Sequence, residues 1–167
     1  MANATSFDLQ KIWEILAEIP DPEIPVLSIT ELGVVRAVEA EGETIVVSIT
    51  PTYTGCPAMA LFENDIHKVL KINGFYKVKV KTVFQPAWTT DWLNDAAKEK
   101  LKKYGIAPPV KSKREENELF ADDSVKVPCP HCGSENTSLK SQFGSTACKA
   151  LYTCNNCLEP FEYFKCH

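Results

Sequence analysis

Apolar residues recur at helical spacing in three stretches of this chain and alternate with polar residues in others. Leu9, Ile12, Trp13, Leu16 and Ile19 predict a helix over residues 6–19, and Thr5 with Asp8 offers a capping box at its start. The run Asp21-Pro22-Glu23-Ile24-Pro25 stops it, because proline disfavours the helical region for the residue before it. Gly33 opens a strand over 34–39, and Glu41-Gly42 supplies a tight turn. A second strand, rich in β-branched residues, follows over 44–50. Met59, Phe62, Ile66, Val69 and Leu70 mark a second helix, which Pro57 can start and Asn73-Gly74 can end. In the third strand, 76–84, Lys77, Lys79 and Lys81 alternate with Val78 and Val80, so one face is wet and one is packed. A third helix is predicted over 90–104, with Gly105 at its C′ position and Pro108-Pro109 beyond.

The order helix, strand, strand, helix, strand, helix packs most simply as a small three-stranded mixed sheet backed by three helices. That is an α+β (α/β two-layer) domain, and the strand order stays open. It should span residues 1–105. Residues 106–127 carry a Pro-Pro pair and then a charged run from Lys111 to Glu118, which predicts a linker. Residues 128–167 form a small C-terminal zinc ribbon. A first domain of roughly 100 residues can hold its own core, whereas a tail of about forty cannot and is typically rescued by a metal.

Charge narrows the partners. The net charge is −4 with both signs scattered, which argues against recognition of nucleic acid or an anionic membrane through the overall field. The first residues lack a basic stretch, and Lys11, Glu14 and Glu18 interrupt the apolar residues that follow, so no targeting segment is expected. The expectation is a soluble, cytoplasmic protein. In that reducing setting seven cysteines read as metal ligands or working thiols before disulfides.

Cys129-Pro130-His131-Cys132-Gly133 is a metal knuckle: two thiolates two residues apart share one tight turn, and Gly133 frees the backbone to complete it. Cys154-Asn155-Asn156-Cys157 is a second, and residues 133–153 separate the pairs. Leu151, Tyr152, Phe161, Tyr163 and Phe164 supply the ribbon strands. Zinc suits the four sulfurs of Cys129, Cys132, Cys154 and Cys157. The same set holds a single iron in rubredoxin, so zinc and iron both stay open, and with iron an electron carrier. His131 inside a knuckle reads as water-facing, and His67 as a surface or satisfied histidine. Cys148 and Cys166 fall near cross-strand register if the second knuckle turns a hairpin. They read first as small residues under the ribbon, and otherwise, with His167 nearby, as a thiol pair able to bind metal or oxidise.

Cys56 sits where the second strand enters the second helix, in Thr50-Pro51-Thr52-Tyr53-Thr54-Gly55-Cys56-Pro57. Pro57 suits the first helical position, which puts Cys56 near the N-cap. Unpaired N–H groups and the helix dipole there should favour a reactive thiolate, and Thr52 and Thr54 can add hydroxyl donors. The bland alternative is a small core residue. No Ser-His-Asp order, phosphate-binding glycine loop or paired carboxylate signature is visible, and Asp21 and Glu23 between prolines read equally as turn residues. The chain is therefore expected to be non-catalytic.

These residues carry a resemblance. Asp21-Pro22-Glu23-Ile24-Pro25, Glu31-Leu32-Gly33-Val34-Val35, Thr54-Gly55-Cys56-Pro57 and Pro86-Ala87-Trp88-Thr89-Thr90-Asp91 resemble the iron–sulfur assembly family that includes SufT. With Phe143-Gly144-Ser145-Thr146-Ala147-Cys148-Lys149-Ala150, the second knuckle and Glu159-Pro160-Phe161, the whole chain resembles the PaaD family, accessory proteins of the phenylacetyl-CoA ring-epoxidase (monooxygenase) system in phenylacetate catabolism. The resemblance implies a role in maturing the iron–sulfur centre of the epoxidase's reductase component. Alternatives are a structural subunit of the oxygenase or the electron carrier named above. It implies that Cys56 is the working thiol, with Asp21, Thr54, Trp88 and Thr89 around it, and that a transient iron–sulfur cluster is the cargo. The implied partners are the reductase and other epoxidase subunits, and a homodimer stays open. One departure is local: the assembly family has a shorter Ser-Pro-Gly-Cys-Pro-like loop, whereas here Tyr53-Thr54 precede Gly55.

Overall fold

The structure, a computed structural model, describes residues 7–53, 55–110 and 126–165. It divides into two compact units, Met1–Asn94 and Asp95–His167.

The first unit opens with α1, Leu9–Leu16, whose N-cap Asp8 accepts the Lys11 N–H at 3.2 Å. Thr5, the expected capping partner, lies outside the described residues. The helix ends before the expected residue 19, because Pro20 constrains Ile19 away from helical geometry. Strands β1, Val35–Glu41, and β2, Thr44–Ile49, form an antiparallel hairpin, turned at Gly42 with φ of 62°. β2 pairs in parallel with β3, Val78–Thr82, giving the order β1-β2-β3. This is the expected mixed sheet, now with β2 at its centre. A parallel pair needs a crossover, and α2, Met59–Ile72, supplies it. Burial follows from that layout. Ile45, Val46, Val47, Ser48 and Ile49 are all buried, as a central strand covered on both faces requires. Ile12 and Leu16 of α1 and Phe62, Ile66 and Leu70 of α2 are buried at helical spacing. On the edges, Lys77–Glu43 and Lys81–Glu41 are exposed ion pairs, which contribute little to stability.

The expected helix over 90–104 is two pieces. Thr89 caps a single 3-10 turn, Thr90–Trp92, and Leu93 then turns extended with ψ of 120°. The true helix, α3, is Asp95–Tyr104, and it belongs to the second unit. Gly105, with φ of 90°, ends it as expected.

The second unit is a four-stranded sheet in the order β4-β7-β6-β5: β4 Ile106–Ala107, β5 Thr137–Ser141, β6 Lys149–Cys154 and β7 Pro160–Phe164. β5, β6 and β7 are antiparallel neighbours, whereas β4 joins β7 in parallel. The structure therefore groups residues 95–107 with the ribbon, not with the first domain and linker. The physical reason is that Ile106 and Ala107 give the β7 edge backbone partners and bury their own side chains. Val127, at the other end of the expected linker, is buried in the ribbon core. Residues 111–125 lie outside the described residues. Among the described residues no helix is long and apolar enough to cross a membrane.

Phe62, 2% exposed, is among the largest fully enclosed side chains of the first unit. Phe62→Ala should destabilise that unit by about 3–5 kcal/mol, read as a lowered denaturation midpoint, while metal retention by the ribbon stays unchanged.

Candidate functional site

The two knuckles are built alike. In the first, the Cys129 N–H donates to the Ser134 carbonyl at 2.9 Å, and in the second the Cys154 N–H donates to the Glu159 carbonyl at 3.0 Å. Each bond folds the chain back on itself. That fold needs a residue with positive φ just after the second cysteine. Gly133 fills it at 77°, and Leu158 fills it at 65° in the other knuckle. The β5–β6–β7 pairing then brings the knuckles together. All four sulfurs lie within 4.8 Å of one another. Cys129 Sγ is 3.7 Å from Cys157 Sγ, and Cys132 Sγ is 3.5 Å from Cys154 Sγ. These separations are too long for a disulfide, about 2.05 Å. They match the edge of a tetrahedron of sulfurs held about 2.3 Å from one ion, roughly 3.8 Å. The donor set therefore fits a tetrahedral soft-ligand ion, zinc or iron.

Without an ion, four sulfurs cannot all be thiolates. The Cys157 N–H, aided by that of Asn156, holds the Cys154 thiol down to about 6 against the effect of burial. Cys157 receives the Glu159 N–H, which favours its anion, yet burial and the sulfurs of Cys154, Cys132 and Cys129 push it up to about 12. One cysteine ionises readily and its neighbour resists, which is the situation a cation resolves. His131 is exposed, as the sequence suggested.

The Phe143–Ala150 motif has a structural role the sequence did not reveal. Lys149 is buried and its Nζ lies 2.8 Å from Glu162 Oε2. Glu162 Oε1 accepts the Ser145 N–H at 2.7 Å, and a Cβ at Gly144 would sit 2.8 Å from that oxygen. Burial works against the Glu162 charge, but Lys149 and Ser145 hold its carboxyl below the usual range. Cys148 is buried with its sulfur 3.0 Å from Thr146 Oγ1, the small packed residue anticipated. Cys166 and His167 lie outside the described residues.

Cys56 is half-buried in the connection from β2 to α2. Its N–H donates to the Tyr53 carbonyl at 3.2 Å, and α2 begins at Met59 with Ala58 as N-cap, so Cys56 stands just ahead of the helix. The expected activation is reversed. Burial raises the thiol above its ordinary range, and the charges of Glu23 and Asp21 add to this. The Ala58 N–H and the Tyr53 side chain pull the other way without prevailing. The structure thus brings Asp21 to Cys56, together with Glu23 and Tyr53, to which the sequence assigned no role at the thiol. Their nearness in sequence to Asp21 and Cys56 was the available signal.

Asp21 also shapes its own loop. It is buried, and its Oδ1 accepts the N–H groups of Glu23 at 2.8 Å and Ile24 at 2.7 Å. Trp88 is buried and donates from Nε1 to the Leu32 carbonyl at 2.8 Å. Beside it, Gly33 has φ of 75°, and a Cβ there would touch Trp92 and Trp88. Thr89 accepts the Asp91 N–H at 3.3 Å. Trp88 and Thr89 thus anchor the Gly33 and 3-10 segments. Thr54 lies outside the described residues. His67 is half-buried on α2.

Comparison with known proteins follows the same division. Residues 9–82 match a family described as iron–sulfur cluster assembly protein, and residues 113–165 match the PaaD zinc beta ribbon domain. The chain is 50% identical over 158 residues to an Escherichia coli K12 protein named as a subunit of 1,2-phenylacetyl-CoA epoxidase, covering 95% of this chain and 93% of that one. It is 32% identical over 90 residues to a Porphyromonas gingivalis protein named "Fe-S protein maturation auxiliary factor", covering 53% of this chain and 85% of that one. Among solved structures, a domain of unknown function, DUF59, from Bacillus anthracis aligns with a TM-score of 0.51 at 30% identity, over 55% of this chain and 89% of that one.

Two outcomes are expected. Cys154→Ser should lose the bound ion and unfold the ribbon while the first unit keeps its unfolding transition; metal analysis and far-UV circular dichroism read both, and full metal retention contradicts the assignment. Alkylation of Cys56 followed against pH should show a midpoint above that of a free cysteine, about 8.5. Converting both acids in Asp21→Asn/Glu23→Gln should move it downward.

Proposed function

The chain belongs to the PaaD family, and on that premise we propose that it is a non-catalytic accessory factor that matures the iron–sulfur centre of the reductase component in a phenylacetyl-CoA ring-epoxidase system. The observation that carries this reading is Cys56 at the strand-to-helix crossover of an iron–sulfur-assembly domain, with Asp21 and Glu23 beside it. A thiol held in its protonated form is a poor free nucleophile, yet metal binding exchanges the proton for a cation. The carboxylates that disfavour the bare thiolate favour a positively charged cargo. Cys56 is thus suited to take an iron species transiently and release it. The cluster is cargo here, not a resident cofactor.

The resident ion is zinc, held by Cys129, Cys132, Cys154 and Cys157. Four thiolates close the coordination shell and leave no open position, as in structural zinc sites. Zinc would fix the knuckles and supply no chemistry to a substrate. The name of the Escherichia coli relative favours a second reading, a structural subunit of the epoxidase. Either way the partners are the reductase or other epoxidase subunits.

Producing the reductase with and without this protein, and counting its iron and acid-labile sulfide, separates the readings. A maturation factor leaves its client short of cluster when absent, and adding it to fully loaded components changes no rate. Equal cluster content, with activity restored on add-back, would establish the subunit reading instead. Cys56→Ala should match the deletion in cluster content.

A further inference from the structure

We infer that Cys132 is a modification site: the thiolate through which hydroperoxides enter the four-cysteine centre, closing a Cys132–Cys154 disulfide and opening the site. The four ligands are not equivalent. Cys129 and Cys154 are buried, Cys157 is half-buried and Cys132 is exposed. Backbone donors widen the difference. The N–H groups of Asn156 and Cys157 point at Cys154 Sγ, at 3.4 and 3.5 Å, and that of Glu159 serves Cys157. Hydrogen bonds and burial both quench a thiolate's nucleophilicity, so an oxidant meets Cys132 first.

The geometry also supplies the second step. Cys154 Sγ lies 3.5 Å from Cys132 Sγ, closer than the 3.7 Å between Cys129 and Cys157. In the first step the Cys132 thiolate attacks one peroxide oxygen. The S–O bond forms, the O–O bond breaks, and hydroxide leaves, giving a sulfenic acid. In the second step the Cys154 thiolate attacks that sulfur. The S–S bond forms and a second hydroxide leaves. The two sulfurs lose two electrons, the peroxide gains them, and water protonates the hydroxides. Two donors then remain for the ion, too few to hold it. The new bond joins the two knuckles, so the ribbon keeps a link across its end and the change is reversible by thiols. Competing cysteines are less available. Cys56 is half-buried and held protonated, and Cys148 is buried against Thr146.

The test uses the full-length, metal-loaded chain, with metal content confirmed first. A preparation with no bound metal would overturn the closed-centre reading itself, apart from this proposal's chemistry. Limiting hydrogen peroxide is added with and without dimedone, ion release is followed with a chromogenic chelator, and cysteines are mapped by mass spectrometry. Dimedone should mark Cys132 first, one ion should leave per Cys132–Cys154 disulfide, and dithiothreitol with zinc should restore the start. A Cys132→His variant keeps a metal donor, and its peroxide-driven release should slow about tenfold because only shielded sulfurs remain. If that variant fails to hold metal, the wild-type map decides alone. A first disulfide between Cys129 and Cys157, or ion release with Cys132 unmodified, overturns the proposal.

Discussion

Four sulfurs gathered within 4.8 Å are the constraint on which the C-terminal half depends. Among the described residues its buried cluster contains seven, Ala107, Val127, Cys129, Ala150, Cys154, Phe161 and Tyr163, and two of them are ligands. So small an apolar interior cannot offset the entropy of ordering four strands. The ligands are the core, and ion binding is therefore folding energy here. The buried Lys149–Glu162 pair adds definition at the far end of β6 and β7. Its geometry is satisfied by Ser145, and Gly144 leaves room for the carboxylate.

The first unit rests on a different constraint. β2 is buried on both faces and parallel to β3, so the chain must leave its end, cross a helix and return. That requirement fixes the connection carrying Cys56. Beneath it, the loop closed by Asp21 places carboxylates near the sulfur. The thiol's environment is consequently a product of topology: a strand end, a loop end and a helix start meeting at one point.

Much of this was readable from the chain. The CxxC pairs gave the ligand set because two short spacings on tight turns leave little freedom, and β-branched runs gave the hairpin and central strand. Burial defeated the reading of Cys56. A helix-terminus argument counts donors but cannot see that the thiol is half-enclosed beside Asp21 and Glu23, since those residues arrive from a loop more than thirty positions away. The break between Thr90–Trp92 and α3 was hidden for a similar reason, because Leu93 turns extended and is buried within a stretch that reads as continuous helix. Leu158 carries no sequence signal for positive φ; only the likeness of its knuckle to the one closed by Gly133 reveals the position.

The short strand β4 has a practical meaning for anyone isolating the ribbon. Ile106 and Ala107 cap the β7 edge, alongside Glu162 and Tyr163. A fragment cut at the sequence boundary, beginning near residue 128, would leave that row of backbone N–H and C=O groups bare beside the apolar side chains of Phe161, Tyr163 and Phe164. Uncovered strand edges of this composition recruit one another. Fragment borders that respect the fold begin at or before Asp95, so that α3 and the two capping residues travel with the metal knuckles.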